Sequence, residues 1–143
     1  MIDKIESGAR FQIPVASKPS KESRSSTLIP RKIYQTYKSA TVSDDMYHSA
    51  MTWKDKNPSF EYHFFDDQRC LEFIREHFDE QAVSAYQALP VGAFRADFWR
   101  YCCLYINGGV YADIDTVCQR PLEALVSGQD TFVVPHGKLN KQC

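Results

Sequence analysis

The sequence predicts an α/β protein with a largely parallel sheet. Segments rich in β-forming residues alternate along the chain with segments of helical periodicity, the pattern of βα units. The composition is 43% hydrophobic and 13% aromatic, which supplies large side chains for a core. The length, 143 residues, suits one domain rather than two.

Residues 1–27 lack periodicity. Within them, the run from Ser17 to Ser26 is polar and charged, with one proline and no aromatic residue. Such a segment buries too little surface to offset its ordering entropy, so a flexible tail is expected over 1–27 and a domain over 28–143. Leu28-Ile29-Pro30 opens the domain, and Lys32 to Tyr37 reads as its first strand. Ser43 is a good N-cap, with Asp44 and Asp45 in the first turn of a helix whose face is Met46, Ala50 and Trp53. Asn57-Pro58 stops that helix. Phe60 to Phe65 alternates aromatic and polar residues and is expected as a strand. Asp66 or Asp67 caps a further helix with Leu71, Ile74 and Phe78 facing the core. A short helix is expected over Gln81–Ala88, and a longer one from about Gly92 to Ile106, ended by Asn107-Gly108-Gly109. Val110 to Asp115 follows as a strand, and Thr131 to Val134 as another.

Composition also excludes function classes. A formal net charge of -1 argues against a nucleic-acid binder. No apolar run approaches the roughly 20 residues that cross a bilayer, and Met1 to Arg10 contains no signal-peptide core. Cysteines 70, 102, 103, 118 and 143 are odd in number and lack any Cys-x-x-Cys pair, fitting neither a disulfide framework nor a zinc site. Free thiols in a reducing compartment are expected, hence a cytoplasmic location, in solution or peripheral at a membrane. His48, His63, His77 and His136 are scattered without ligand spacing.

The chemistry concentrates between Arg95 and Asp115. In an extended chain Asp113 and Asp115 point to one side, and two carboxylates at a strand end make an oxygen-rich site for a hard divalent cation such as manganese or magnesium. Ligands of open α/β sheets bind beyond the carboxyl ends of the strands, where this pair should lie. A nucleoside diphosphate would supply further oxygens, and the cation would neutralise charge on the departing diphosphate. Asp97 and Arg100, three apart on one helix, can bind sugar hydroxyls and sugar or phosphate oxygens. Taken singly, these residues have plainer readings. An Asp-x-Asp is common in turns, and an exposed Asp97–Arg100 ion pair is worth at most about 1 kcal/mol. Phe94, Phe98, Tyr101 and Tyr105 are expected as core anchors, as are Tyr34 and Trp53. The whole string carries the functional reading.

That string, Arg95-Ala-Asp97-Phe-Trp-Arg100-Tyr101 with Leu104-Tyr105 and Gly108-Gly109-Val110-Tyr111-Ala112-Asp113-Ile114-Asp115, resembles the DXD sugar-binding region of glycosyltransferase family 32. The family includes initiating α-1,6-mannosyltransferases and bacterial polysaccharide enzymes. Ile29 to Thr36 resembles its opening strand, and Trp53 with Asn57-Pro58 its next landmark. The resemblance implies a GT-A fold, a Rossmann-like nucleotide-binding sheet. It implies a nucleoside-diphosphate-sugar donor, a divalent cation, usually manganese, a glycan, lipid-linked or protein-linked hydroxyl acceptor, and retention of anomeric configuration. By position, Asp113 would contact the donor sugar or ribose and reach toward the metal, and Asp115 would ligate it directly. Asp97 and Arg100 would contact donor-sugar hydroxyls, and Tyr34 and Gln35 would border the base. No catalytic residue is assigned.

The family domain continues well past its DXD strand, whereas 28 residues follow Asp115 here. The expectation is therefore an N-terminal, donor-binding portion with little transfer activity by itself. An inactive remnant or a non-catalytic nucleotide-sugar-binding subunit is the alternative. Asp113-Ile-Asp115-Thr116-Val117 also matches the nucleophile motif of haloacid-dehalogenase-like phosphatases, in which the first Asp attacks phosphate and the second is the general acid and base. That fold needs downstream lysine and acidic loops, for which 28 residues are too few.

Overall fold

A computed structural model describes residues 8–23 and 26–134. Its elements run β1 (Arg10–Gln12), β2 (Ala16–Ser17), β3 (Lys32–Thr36), β4 (Thr41–Ser43), α1 (Asp44–Asp55), β5 (Glu61–Phe65), α2 (Asp67–His77), α3 (Glu80–Ala88), α4 (Ala93–Asn107) and β6 (Val110–Tyr111), with a 3-10 turn at Leu122–Ala124. The main sheet has the order β2-β5-β3-β6. Strands β5, β3 and β6 are parallel, and β2 closes the β5 edge antiparallel. The α/β expectation holds, and the arrangement is that of the amino-terminal part of a GT-A-like domain.

Strand parity divides the interior into two cores. Ile33 on β3 and Tyr62 and Phe64 on β5 face α1, where they pack with Ile13, Val42, Ala50, Ile114 and Leu122. Tyr34 faces the other way and joins Cys70, Phe73, Ile74, Val83, Tyr86, Trp99 and Cys103 from α2, α3 and α4. Because β3 has a strand on each side and helices over both faces, its residues have almost no contact with water. A parallel strand buried on both faces needs bulky side chains in every position, and Ile33-Tyr34 meets that need.

The helices begin where side-chain oxygens can take up free amides. Ser43 accepts from the amide of Met46, Asp66 from that of Arg69 and Asp79 from that of Ala82. Gly108 ends α4, its amide bonding Leu104 O at 2.8 Å. Gly109 is the tighter constraint. Its φ is +89°, and a Cβ there would stand 2.7 Å from Lys32 O. Only glycine lets the chain pass that close to β3 as it enters β6.

Several expectations need correction. The flexible tail over 1–27 does not hold for the residues described. β1 pairs with β4 and β2 with β5, Ile13 is fully buried, and the amide of Ile13 bonds Ala40 O at 2.9 Å. The domain thus starts well before Leu28. The signal was the apolar pair Phe11 and Ile13, two residues apart, which the polar run after it obscured. Residues 1–7 and 24–25 of that segment lie outside the described residues, as do His136 and Cys143. Second, the strand over Thr131–Val134 does not form. Phe132 to Val134 are exposed and unpaired with the sheet, since β-forming residues make a strand only against a partner edge. Third, α2 buries Cys70, Phe73 and Ile74, while Leu71 and Phe78 are half-buried beside them. Fourth, Phe94, Tyr101 and Tyr105 of α4 are exposed rather than core anchors, and the helix turns Trp99, Cys102 and Cys103 inward instead.

Candidate functional site

Beyond the carboxyl end of β6 the chain does not remain extended. The amide of Ala112 still bonds Tyr34 O at 3.1 Å, continuing the ladder by one residue. Thr116 then folds back, donating from its amide (3.1 Å) and its hydroxyl (2.6 Å) to Asp113 O. Asp113 and Asp115 therefore occupy a turn and not the strand itself, which corrects the strand assigned over Val110–Asp115. The core takes Ile114 between them, and both acids are exposed. The two-residue spacing still puts both carboxylates in solvent, through burial of the residue between rather than through strand parity.

Helix α4 delivers the other half of the site. Arg100 Nη2 donates to Asp97 Oδ1 at 2.5 Å. The Arg100 guanidinium also lies over the Tyr111 ring, 5.4 Å from its centroid, and 5.6 Å from that of Tyr101. Tyr111 Oη donates to Asp113 Oδ1 at 3.1 Å. Asp97, Arg100, Tyr111 and Asp113 thus form one connected group joining α4 to the turn. Burial is the main cause that raises the Tyr111 pKa, and the charge and hydrogen bond of Asp113 raise it further against the opposing pull of Arg100. The phenol remains a donor throughout the physiological range.

The turn is held from beneath and from one side. Gln35 Nε2 donates to Asp113 O at 3.2 Å, and Gln35 Oε1 accepts from Tyr62 Oη at 2.9 Å. Trp53 Nε1 donates to Thr116 O at 2.9 Å. Further along, Thr52 Oγ1 accepts from the amide of Cys118 at 2.9 Å and Asn57 Oδ1 from that of Leu122 at 2.7 Å. The carboxyl end of α1 and the Asn57-Pro58 corner are thus a clamp on the chain that follows the acids.

Of the six candidate site residues, Asp97, Arg100 and Asp113 are joined in one network, and Asp115 is exposed in the same turn. Tyr34 and Gln35 lie inside the sheet, Tyr34 as the core anchor its ring suggests. Tyr34 is a core residue stacked on His63 at 5.3 Å, and Gln35 has 0% of its surface exposed. Gln35 meets the turn only through the carbonyl of Asp113, at the centre of the sheet. Tyr111 was missed as a site residue, although it stands two before Asp113 and its parity could have shown it. Trp53 was expected as a core residue and is half-buried, with its indole N–H committed to the turn.

The donor set suits a hard cation in kind. Among the described residues, no ion pair takes up Asp113 or Asp115, and no group of three or more His, Cys, Asp or Glu side chains converges anywhere. The turn thus presents two exposed carboxylates without an ion-pair partner. A cavity of about 220 Å³ lies apart from this region, lined by Thr27, Ile29, Arg31, Phe60, Val110 and Leu122 among others, and includes none of the site residues.

An open, mostly parallel sheet with an acid pair just past a strand end, and a carboxylate and a guanidinium from the preceding helix beside it, has the form of ligand-binding α/β proteins, whose ligands lie beyond the carboxyl ends of the strands. The model of the glycosyltransferase sugar-binding region containing the DXD motif matches residues 43–132. The chain belongs to that glycosyltransferase family. It is 32% identical over 111 residues to an initiation-specific α-1,6-mannosyltransferase of Candida albicans, covering 73% of this chain and 29% of the relative. It is 33% identical over 104 residues to inositol phosphoceramide mannosyltransferase 3 of Schizosaccharomyces pombe, again covering 73% and 29%. A mannosyl phosphorylinositol ceramide synthase of Saccharomyces cerevisiae shares 32% identity over 100 residues, covering 70% and 26%. The chain thus spans under a third of the length of each of these relatives. No solved structure matches it significantly. Family membership displaces the phosphatase alternative.

Proposed function

We propose that this chain binds a nucleoside-diphosphate sugar through a divalent cation and serves sugar transfer, with retention of configuration, to a glycan, lipid-linked or protein-linked hydroxyl. Asp115 and Asp113 would hold the cation, manganese or magnesium, which screens the diphosphate from the two carboxylates and stabilises it as leaving group. Asp97 and Arg100 would bind hydroxyls of the donor sugar. Tyr111 keeps Asp113 oriented and leaves Arg100 lying across its ring. The observation that carries this reading is the connected group Asp97–Arg100–Tyr111–Asp113 beside the turn. The names of the relatives, mannosyltransferases acting in two settings, favour a mannose-bearing donor. The cytoplasmic location read from the cysteines stands as part of the same proposal.

Isothermal titration with GDP, UDP and their sugar esters, with and without manganese, tests it. Binding should require the cation and collapse in Asp115→Ala. Asp115→Asn should weaken it as well, because a neutral amide replaces an anionic ligand of the same shape. Asp97→Asn should spare the free nucleoside diphosphate and weaken the sugar-bearing donor. Cation-independent binding, or equal losses for both ligands in Asp97→Asn, would overturn the respective roles.

A further inference from the structure

Gln35 is an unusual residue to find at the centre of a buried parallel strand. With no exposed surface, its amide would be costly there unless bonded at both ends. It is so bonded, to Tyr62 Oη at 2.9 Å and to Asp113 O at 3.2 Å. The direction of the relay is fixed. With the amide reversed, Gln35 Oε1 would face a carbonyl oxygen. Burial also raises the Tyr62 pKa, so its phenol stays protonated and donates.

The bond to Asp113 is not needed to satisfy that carbonyl. Thr116 already gives it two donors, from its amide and its hydroxyl. Those two bonds close the turn upon itself and do not say where the turn sits. The Gln35 bond ties it to the sheet, and the Trp53 bond to Thr116 O ties its other end to α1. An apolar residue of similar shape could fill the volume of Gln35 without holding the turn.

We propose that Gln35 and Tyr62 are positioning residues of the donor site: their buried relay fixes the backbone of the Asp113–Thr116 turn and so presets the directions of the Asp113 and Asp115 carboxylates. This rests on the donor-binding role proposed above. Neither residue touches the ligand; each acts through the turn.

The test compares Gln35→Met and the double variant Gln35→Met/Tyr62→Phe with the unaltered 143-residue chain. The single variant strands the Tyr62 hydroxyl in the core, so its melting temperature should fall. The double variant removes both polar partners, which is close to neutral for stability, so most of that loss should be recovered. Donor binding should not recover. A turn that holds the competent geometry a tenth of the time weakens apparent affinity about tenfold, and manganese-dependent binding of GDP or UDP should drop by about that factor in both variants. Amide hydrogen exchange across residues 112–118 should quicken in the double variant while α4 keeps its protection. A double variant with restored melting temperature, unchanged nucleotide affinity and unchanged exchange in the turn would show that the relay only fills the core, and would overturn the proposal. If the unaltered chain shows no manganese-dependent binding, the donor reading falls, and with it the functional meaning of the relay. The exchange measurement then still decides whether the relay orders the turn: faster exchange upholds that step and unchanged exchange refutes it.

Discussion

At the scale of single residues, Tyr111 joins the two halves of the site. Its ring supports the Arg100 guanidinium and its hydroxyl holds one oxygen of Asp113. Tyr111→Phe keeps the ring and removes the hydroxyl, leaving Asp113 free to rotate. We expect manganese-dependent nucleotide binding to weaken by about 1 kcal/mol, roughly fivefold, the net worth of one ordinary hydrogen bond. Titration at fixed manganese checks it, and an unchanged affinity would mean that the bond is idle. The acids and the α4 pair stood out in the sequence because Asp97 and Arg100 are three apart on a helix and apolar Ile114 separates Asp113 from Asp115. Tyr34 is the core residue its aromatic ring suggests, whereas the burial of Gln35 was not legible, because parity says which face a residue takes and cannot say that both faces of β3 are covered.

At the scale of elements, the passage from α4 to β6 is the most constrained step in the chain. Gly109→Ala would put a methyl group 2.7 Å from Lys32 O at a φ of +89°. The backbone would have to move, at a cost of more than about 2 kcal/mol, readable as a lowered denaturation midpoint. Because β6 leads into the acid turn, nucleotide affinity should fall with it. Loss of a cap is milder: Asp66→Ala at the start of α2 should cost about 1 kcal/mol in the same measurement, without touching nucleotide affinity. Helix boundaries and caps were well legible, since Ser43 and Asp66 are caps by local chemistry alone. The orientation of α4 was not. Aromatic residues occur around its whole circumference, and size favoured Phe94, Tyr101 and Tyr105, yet the sheet accepts the Trp99, Cys102 and Cys103 stripe. Which stripe turns inward depends on the neighbouring α2 and β6, and the helix sequence does not record that.

At the scale of the whole molecule, the two cores differ in chemistry. The core under α2–α4 contains three buried thiols, and burial pushes the pKa values of Cys70 and Cys103 up to about 12. Such thiols are poor nucleophiles at neutral pH. Iodoacetamide at pH 8 should leave Cys70 and Cys103 unmodified in the native chain and label them once it unfolds, as peptide mass mapping would show. On the other side, Ser59 and Arg31 both donate to Glu123, at 2.7 and 2.5 Å, and these bonds, that of Ser59 foremost, hold its carboxyl below the ordinary range. A depressed carboxyl pKa stabilises the fold above its unfolded value and loses that contribution as pH falls through the folded one. The melting temperature of Glu123→Gln should therefore depend less on pH below about 4.5 than that of the unaltered chain.

The clamp from α1 onto the chain beyond the acids has a consequence in time. Trp53 with Thr116, Thr52 with Cys118 and Asn57 with Leu122 are contacts between residues 63, 66 and 65 positions apart. Closing a loop of that length is entropically costly before any contact rewards it, so these links should form late in folding. Interactions that are absent from the folding barrier act on the unfolding rate. Asn57→Ala is accordingly expected to accelerate unfolding and leave the refolding rate nearly unchanged in stopped-flow measurements. The turn that carries Asp113 and Asp115 would then be the last part of the molecule to set and the first to loosen.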